Sequence, residues 1–94
     1  MDSQKKSKTK QKLPKWFKGQ LYSQGETVTN PFSGESYDLT AEEVSMYDFI
    51  MGSQMMAEQL GWLNPKTRTI QNDMSKGLNW FRVNNPEAYY VLLD

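Results

Sequence analysis

The stretch from Leu39 to Gly61, LTAEEVSMYDFIMGSQMMAEQLG, decides the fold. It opens on a capping box. Thr40 stands three residues before Glu43, so its hydroxyl can take the Glu43 amide while the glutamate reaches back to the Thr40 amide. Leu39 and Val44 occupy the staple positions around that cap, and Glu42 and Glu43 put negative charge at the positive end of the helix dipole. Gly61 is placed to end the helix. The spacing predicts a helix from about residue 41 to about residue 60.

That helix is unusually apolar. At about 100° per residue, Val44, Tyr47, Met51 and Met55 cluster on one side, and Met46, Phe49, Ile50, Met56, Ala57 and Leu60 cover much of the opposite side. Ser45, Asp48, Gly52 and Gln59 form the clearest polar strip. A helix apolar nearly all round is normally covered nearly all round. Two kinds of neighbour can do this: the other elements of the same chain, or a partner on one side, whether a second copy or another protein. Methionine's flexible thioether suits surfaces that must adapt. Tyr47, Met51 and Met55 are therefore candidate protein-interaction residues, joined by Trp62 in the following loop because Trp is enriched at interface hot spots.

Outward from this helix the pattern stays legible. Asn64-Pro65 reads as an N-cap with proline at the first helical position. A second helix follows to about Val83, with Ile70, Met74, Leu78 and Phe81 on one stripe and Gly77 beside them, where another element can approach closely. Asn85-Pro86 repeats the cap-and-proline device before a short terminal helix, EAYYVLL. Towards the N-terminus, residues 16–39 read as a small β-meander. A strand is expected around Gln20–Tyr22, a turn at Ser23–Glu26 with positive φ at Gly25, and a second strand through Val28. The NPFSGES turn then leads into ESYDLT, whose Tyr37 and Leu39 alternate with Ser36 and Asp38. The expected fold is α+β: a β-meander or hairpin packed on two main helices plus a short C-terminal helix.

Composition limits the chemistry. The 94 residues contain no cysteine and no histidine, so thiolate or imidazole nucleophile–base pairs and most transition-metal sites cannot be built. Glu42 and Glu43 point about 100° apart and are accounted for by capping, so they are not an acid–base pair. No calcium-loop spacing or phosphate-cradling glycine motif occurs. The reading is non-enzymatic, with no cofactor, metal or small-molecule substrate. No stretch approaches the about 20 apolar residues of a membrane span, and the basic opening lacks the apolar run of a secretory signal.

The formal net charge of zero conceals a division. Residues 1–18 hold seven lysines against Asp2, whereas residues 19–94 hold four basic and ten acidic residues. Residues 1–13, MDSQKKSKTKQKL, offer almost nothing to bury, so they read as a disordered Lys-rich tail on a single domain of residues 14–94. Lys5, Lys6, Lys8, Lys10 and Lys12 are candidate contacts to nucleic-acid phosphates, without sequence preference, because no aromatic residue is interleaved to read bases. The alternatives are a solvated terminus that aids solubility and docking on an acidic protein surface.

NPFSGESYDL, EVSMYDFIMG and KGLNWFRVNNPEAYYVLLD together resemble small proteins encoded by tailed phages of marine bacteria, cyanophages included. The resemblance covers roughly residues 14–94 and carries no catalytic motif. It implies a product made in the cytoplasm of a bacterial host that binds and redirects a host or phage protein, or a minor virion component. The sequence thus leads to an accessory protein acting by protein–protein interaction, with nucleic-acid association through the tail and a virion role as alternatives.

Overall fold

The capping box forms as its residues predict. In the computed structural model, which describes residues 11–94, Thr40 Oγ1 accepts from the Glu43 amide at 3.1 Å, and Glu43 Oε1 accepts from the Thr40 amide at 2.9 Å. Helix α1 runs from there over Ala41–Leu60 and stops at Gly61, whose φ of 91° closes the end in a conformation that disfavours a side chain. Asn64 caps α2 (Pro65–Asn84) by accepting from the Lys66 amide at 2.9 Å. Asn85 caps α3 (Pro86–Leu92) by accepting from the Ala88 amide at 3.2 Å. In both cases proline supplies the first helical residue, where no amide hydrogen is needed.

A single antiparallel hairpin precedes the helices among the described residues: β1 (Glu26–Thr29) pairs with β2 (Ser36–Leu39), with Val28 opposite Tyr37 and Glu26 opposite Leu39. Its turn is organised by Asn30, whose Oδ1 accepts from the Phe32 amide at 2.8 Å, and by Gly34 at φ 80°. The strand expected at Gln20–Tyr22 is absent. The Tyr22 amide donates instead to Ser45 Oγ on α1 at 2.9 Å, so the segment is spent on the helix rather than on a ladder. Gly25 does not take positive φ either. It is needed for proximity, because a Cβ there would collide with the Leu39 carbonyl oxygen.

The core lies between α1, α2 and α3 and beneath β2. Leu39 and Val44, the staple pair, join Met46, Ile50, Phe81, Ala88 and Leu92 in one buried cluster. Gly77 allows α2 to approach, since a Cβ there would stand 2.9 Å from Ile50 Cγ1 and 3.3 Å from Met46 Sδ. Glu43 does more than cap. It is only 2% exposed, and its Oε2 accepts from Gln11 Nε2 at 2.6 Å and from Asn85 Nδ2 at 2.9 Å. One carboxylate thus ties together the start of α1, the start of α3 and the N-terminal segment. Burying it is tolerable because hydrogen-bond donors replace water around it.

The N-terminal segment is part of this packing from Gln11 onward. Leu13, Trp16 and Phe17 lie against the core. Phe49 meets Trp16 and Phe17 at ring-centroid distances of 6.0 and 5.4 Å. Lys18 reaches Asp73 on α2 at 3.5 Å. No described helix is long and apolar enough to cross a membrane.

Candidate interaction surface

The coverage of α1 changes along its length as well as around it. In its first turns Glu43, Val44, Ser45 and Met46 are buried in succession. The hairpin, α3 and the N-terminal segment all converge there. Beyond Gly52 only Ser53 and Ala57 are buried, both on the side that faces α2. The wheel placed Ser45 on the polar strip, but it is 1% exposed, donating to the Ala41 carbonyl at 2.9 Å while accepting from Tyr22. Asp48, Gly52 and Gln59 are exposed as expected.

The four residues predicted for protein contact therefore divide. Tyr47 is half-buried and packs against the core, and that burial pushes its hydroxyl above the ordinary value of 10.0. Met51 is half-buried, Met55 is 60% exposed and Trp62 50% exposed. Three further residues complete the open surface: Met56, Leu60 and Leu63, the last fully exposed. The wheel placed Met56 and Leu60 opposite Met51 and Met55, on the side that also holds the buried Met46, Ile50 and Ala57. It could not show that the covering elements end near the middle of the helix. Met51 with Met55, and Met56 with Leu60, are neighbours at i,i+4, so the apolar groups form two rows that flank the exposed strip of Asp48, Gly52 and Gln59 and lead to the turn at Trp62-Leu63. Beside that turn, Trp62, Leu63, Pro65, Arg68 and Gln71 line an open hollow of about 540 Å³.

Gly52 lies between these rows, on the exposed strip with Asp48 and Gln59. A Cβ there would meet nothing within 4 Å, so no contact inside the chain calls for glycine. Mid-helix glycine costs roughly 1 kcal/mol relative to alanine. It is the one helical glycine whose packing reason is missing from the described residues.

Charge is segregated by element. Every Lys and Arg of residues 11–94 lies either before residue 19 (Lys12, Lys15, Lys18) or on α2 (Lys66, Arg68, Lys76, Arg82). Of the acidic residues, only Asp73 shares those segments. Helix α1 carries Glu42, Glu43, Asp48 and Glu58 with no cation. Among the candidate nucleic-acid contacts, Lys12 is exposed, and Lys5, Lys6, Lys8 and Lys10 lie outside the described residues. Among the described residues, no group of three or more acidic side chains could hold a metal ion.

Compared with known proteins, the chain matches no family model, and no curated protein or solved structure matches it.

Proposed function

We propose that this is a non-catalytic accessory protein that binds another protein through the outer face of α1 and the Trp62-Leu63 turn. The observation that carries the reading is the concentration of uncovered apolar side chains, Met51, Met55, Met56, Leu60, Trp62 and Leu63, on the second half of α1 and the turn that follows it. Contiguous exposed apolar surface rimmed by polar groups marks interaction sites. Gly52 supports it, because a side chain missing between the two rows lets a partner backbone approach.

Electrostatics favour a different protein over a second copy. Pairing two α1 faces about a two-fold axis would bring Asp48 and Glu58 of each copy together with no cation on either helix. Like charges across an interface oppose association, so the fitting partner has an apolar surface with a basic rim. With the resemblance to small phage proteins as the guide, the expected partner is a host or phage protein in a bacterial cytoplasm, with the virion as the second setting.

The test compares the wild-type chain with a Met55→Lys, Met56→Lys variant, capturing partners from infected host cells and sedimenting each protein alone. The reading requires a captured protein that the variant loses while keeping its fold, and cross-links that place α1 against a basic surface. Identical capture by both proteins sinks it. So does a wild-type monomer that binds neither a partner nor a hydrophobic dye. A stable wild-type dimer broken by the variant would replace it with self-association.

A further inference from the structure

The Lys-rich tail lacks aromatic residues, but the fold brings two tryptophans to the point where that tail joins the domain. Trp16, from the N-terminal segment, and Trp80, from α2, line one hollow of about 290 Å³ together with Lys76, Asn79 and Val83. We propose that this groove binds single-stranded nucleic acid, stacking a base on the indoles while the surrounding lysines take the phosphates.

Three observations carry this. First, both indoles are held in place while half-exposed. Trp80 Nε1 donates to the Lys12 carbonyl at 3.0 Å, and Trp16 is backed by Phe49. A fixed aromatic face loses little entropy when a base stacks on it. Second, the rim is basic: Lys12 and Lys15 are exposed on the segment beside the groove, and Lys76 Nζ lies over the Trp16 ring, 5.7 Å from its centroid, a place a stacking base takes as the exposed ammonium turns to a phosphate. Third, the hollow is small, about 290 Å³, and is lined by both indoles. Asn79 adds an amide within it, the kind of group that can bond a base edge. An acidic peptide would satisfy the lysines but would leave the indole faces unused, which favours a strand of bases.

The experiment uses the full chain carrying Trp62→Phe, so that Trp16 and Trp80 are its only tryptophans. Fluorescence anisotropy follows labelled oligo-dT and oligo-U between about 50 and 200 mM salt. The expected result is binding that quenches tryptophan emission and weakens with salt. Lys15→Glu with Lys76→Glu, both at exposed positions, should weaken it about tenfold or more, and Trp16→Leu about tenfold. The charge variant keeps the proposal open to refutation if the Trp16 variant folds poorly. Absence of binding at the lowest salt overturns it. Binding that leaves tryptophan emission unchanged and depends only on residues 2–10 also overturns it, by assigning contact to the tail alone. Equal quenching and competition by a poly-glutamate peptide would make the groove an acidic-peptide site instead.

Discussion

Replacing Gly52 by alanine should stabilise this protein, whereas the same change at Gly77 should not. Both glycines lie inside helices, so each substitution gains about 0.8–1 kcal/mol of helix propensity. At Gly52 the new methyl meets nothing within 4 Å, so the propensity gain stands alone. For a domain of this size, about 1 kcal/mol corresponds to a rise of about 4–8 °C in Tm. At Gly77 the methyl would press on Ile50 Cγ1 at 2.9 Å and Met46 Sδ at 3.3 Å, and both side chains are almost fully buried with little room to yield. Overpacking of that kind costs about 1–3 kcal/mol, which cancels or exceeds the gain. The two variants should therefore differ by about 1–3 kcal/mol in urea denaturation, with the Gly52 variant the more stable. Partner binding supplies a second readout: a backbone that packs at Gly52 should be displaced by the methyl, so the more stable variant should bind more weakly. A Gly52→Ala protein less stable than wild type, or a Gly77→Ala protein stabilised as much, would refute the packing account.

Glu43→Gln keeps the shape of the side chain but replaces one acceptor oxygen with a donor, facing donors from Gln11, Asn85 or Thr40. A loss of about 1–3 kcal/mol is expected by denaturant titration, and a change within about 0.3 kcal/mol would mean that the buried network is not formed in solution. Alkali should also weaken the fold. Tyr22, Tyr37 and Tyr47 are all raised above 10.0, each chiefly by burial, and Tyr37 further by donating to Glu87. A raised phenol holds its proton more tightly in the folded state, so its contribution is fully present below about pH 10 and fades as pH climbs through the higher folded value. Tyr37→Phe should flatten part of that loss, and an unchanged alkaline profile would count against the Tyr37–Glu87 contact. Met55→Lys should change stability by less than about 0.5 kcal/mol, because the side chain is mostly exposed; a large loss would show that this surface is covered within the chain.

Much of this architecture was legible because local rules suffice for it. The capping box at Thr40–Glu43, the Asn-Pro starts at 64–65 and 85–86, and the glycine stop at 61 are read from adjacent residues, and all three helices follow. The strand at Gln20–Tyr22 was not legible as absent, because its fate depends on Ser45, more than twenty residues away, competing for the Tyr22 amide. Gly25 shows the same limit. A turn rule predicts its φ, but the need for glycine comes from Leu39 across the hairpin. The candidate surface was legible in part. A wheel reports the circumference of α1, and it grouped the half-buried Met51 and exposed Met55 with Val44 and Tyr47, which pack in or on the core. The open end of the helix depends on where other elements stop, so Met56, Leu60 and Leu63 emerged only in three dimensions. The pairing of Trp16 with Trp80 is likewise a product of tertiary packing.

The segregation of charge raises a last question, whether it serves the fold or its partners. Helix α1, whose charges are all acidic, packs beside α2, whose charges are mostly basic, and packed helices typically stand roughly 8–10 Å apart. Across about 10 Å of solvent-exposed surface, one unit pair is worth only about 0.4 kcal/mol, and near-physiological salt screens most of that beyond about 8 Å. The Lys18–Asp73 salt bridge is exposed on the lysine side, where such pairs contribute little. A handful of attractions that weak cannot explain why every described cation avoids the hairpin, α1 and α3. Long-range fields are where segregated charge has its effect, because they steer encounter and exclude wrong partners. The acidic rim of the apolar surface and the basic rim of the tryptophan groove then select opposite partners, a basic protein surface on one side and a polyanion on the other. On this account, raising salt from about 50 to 200 mM should weaken binding at both sites while leaving the urea midpoint of the free protein nearly unchanged. A fold that loses stability in step with binding would show instead that the charges hold the helices together.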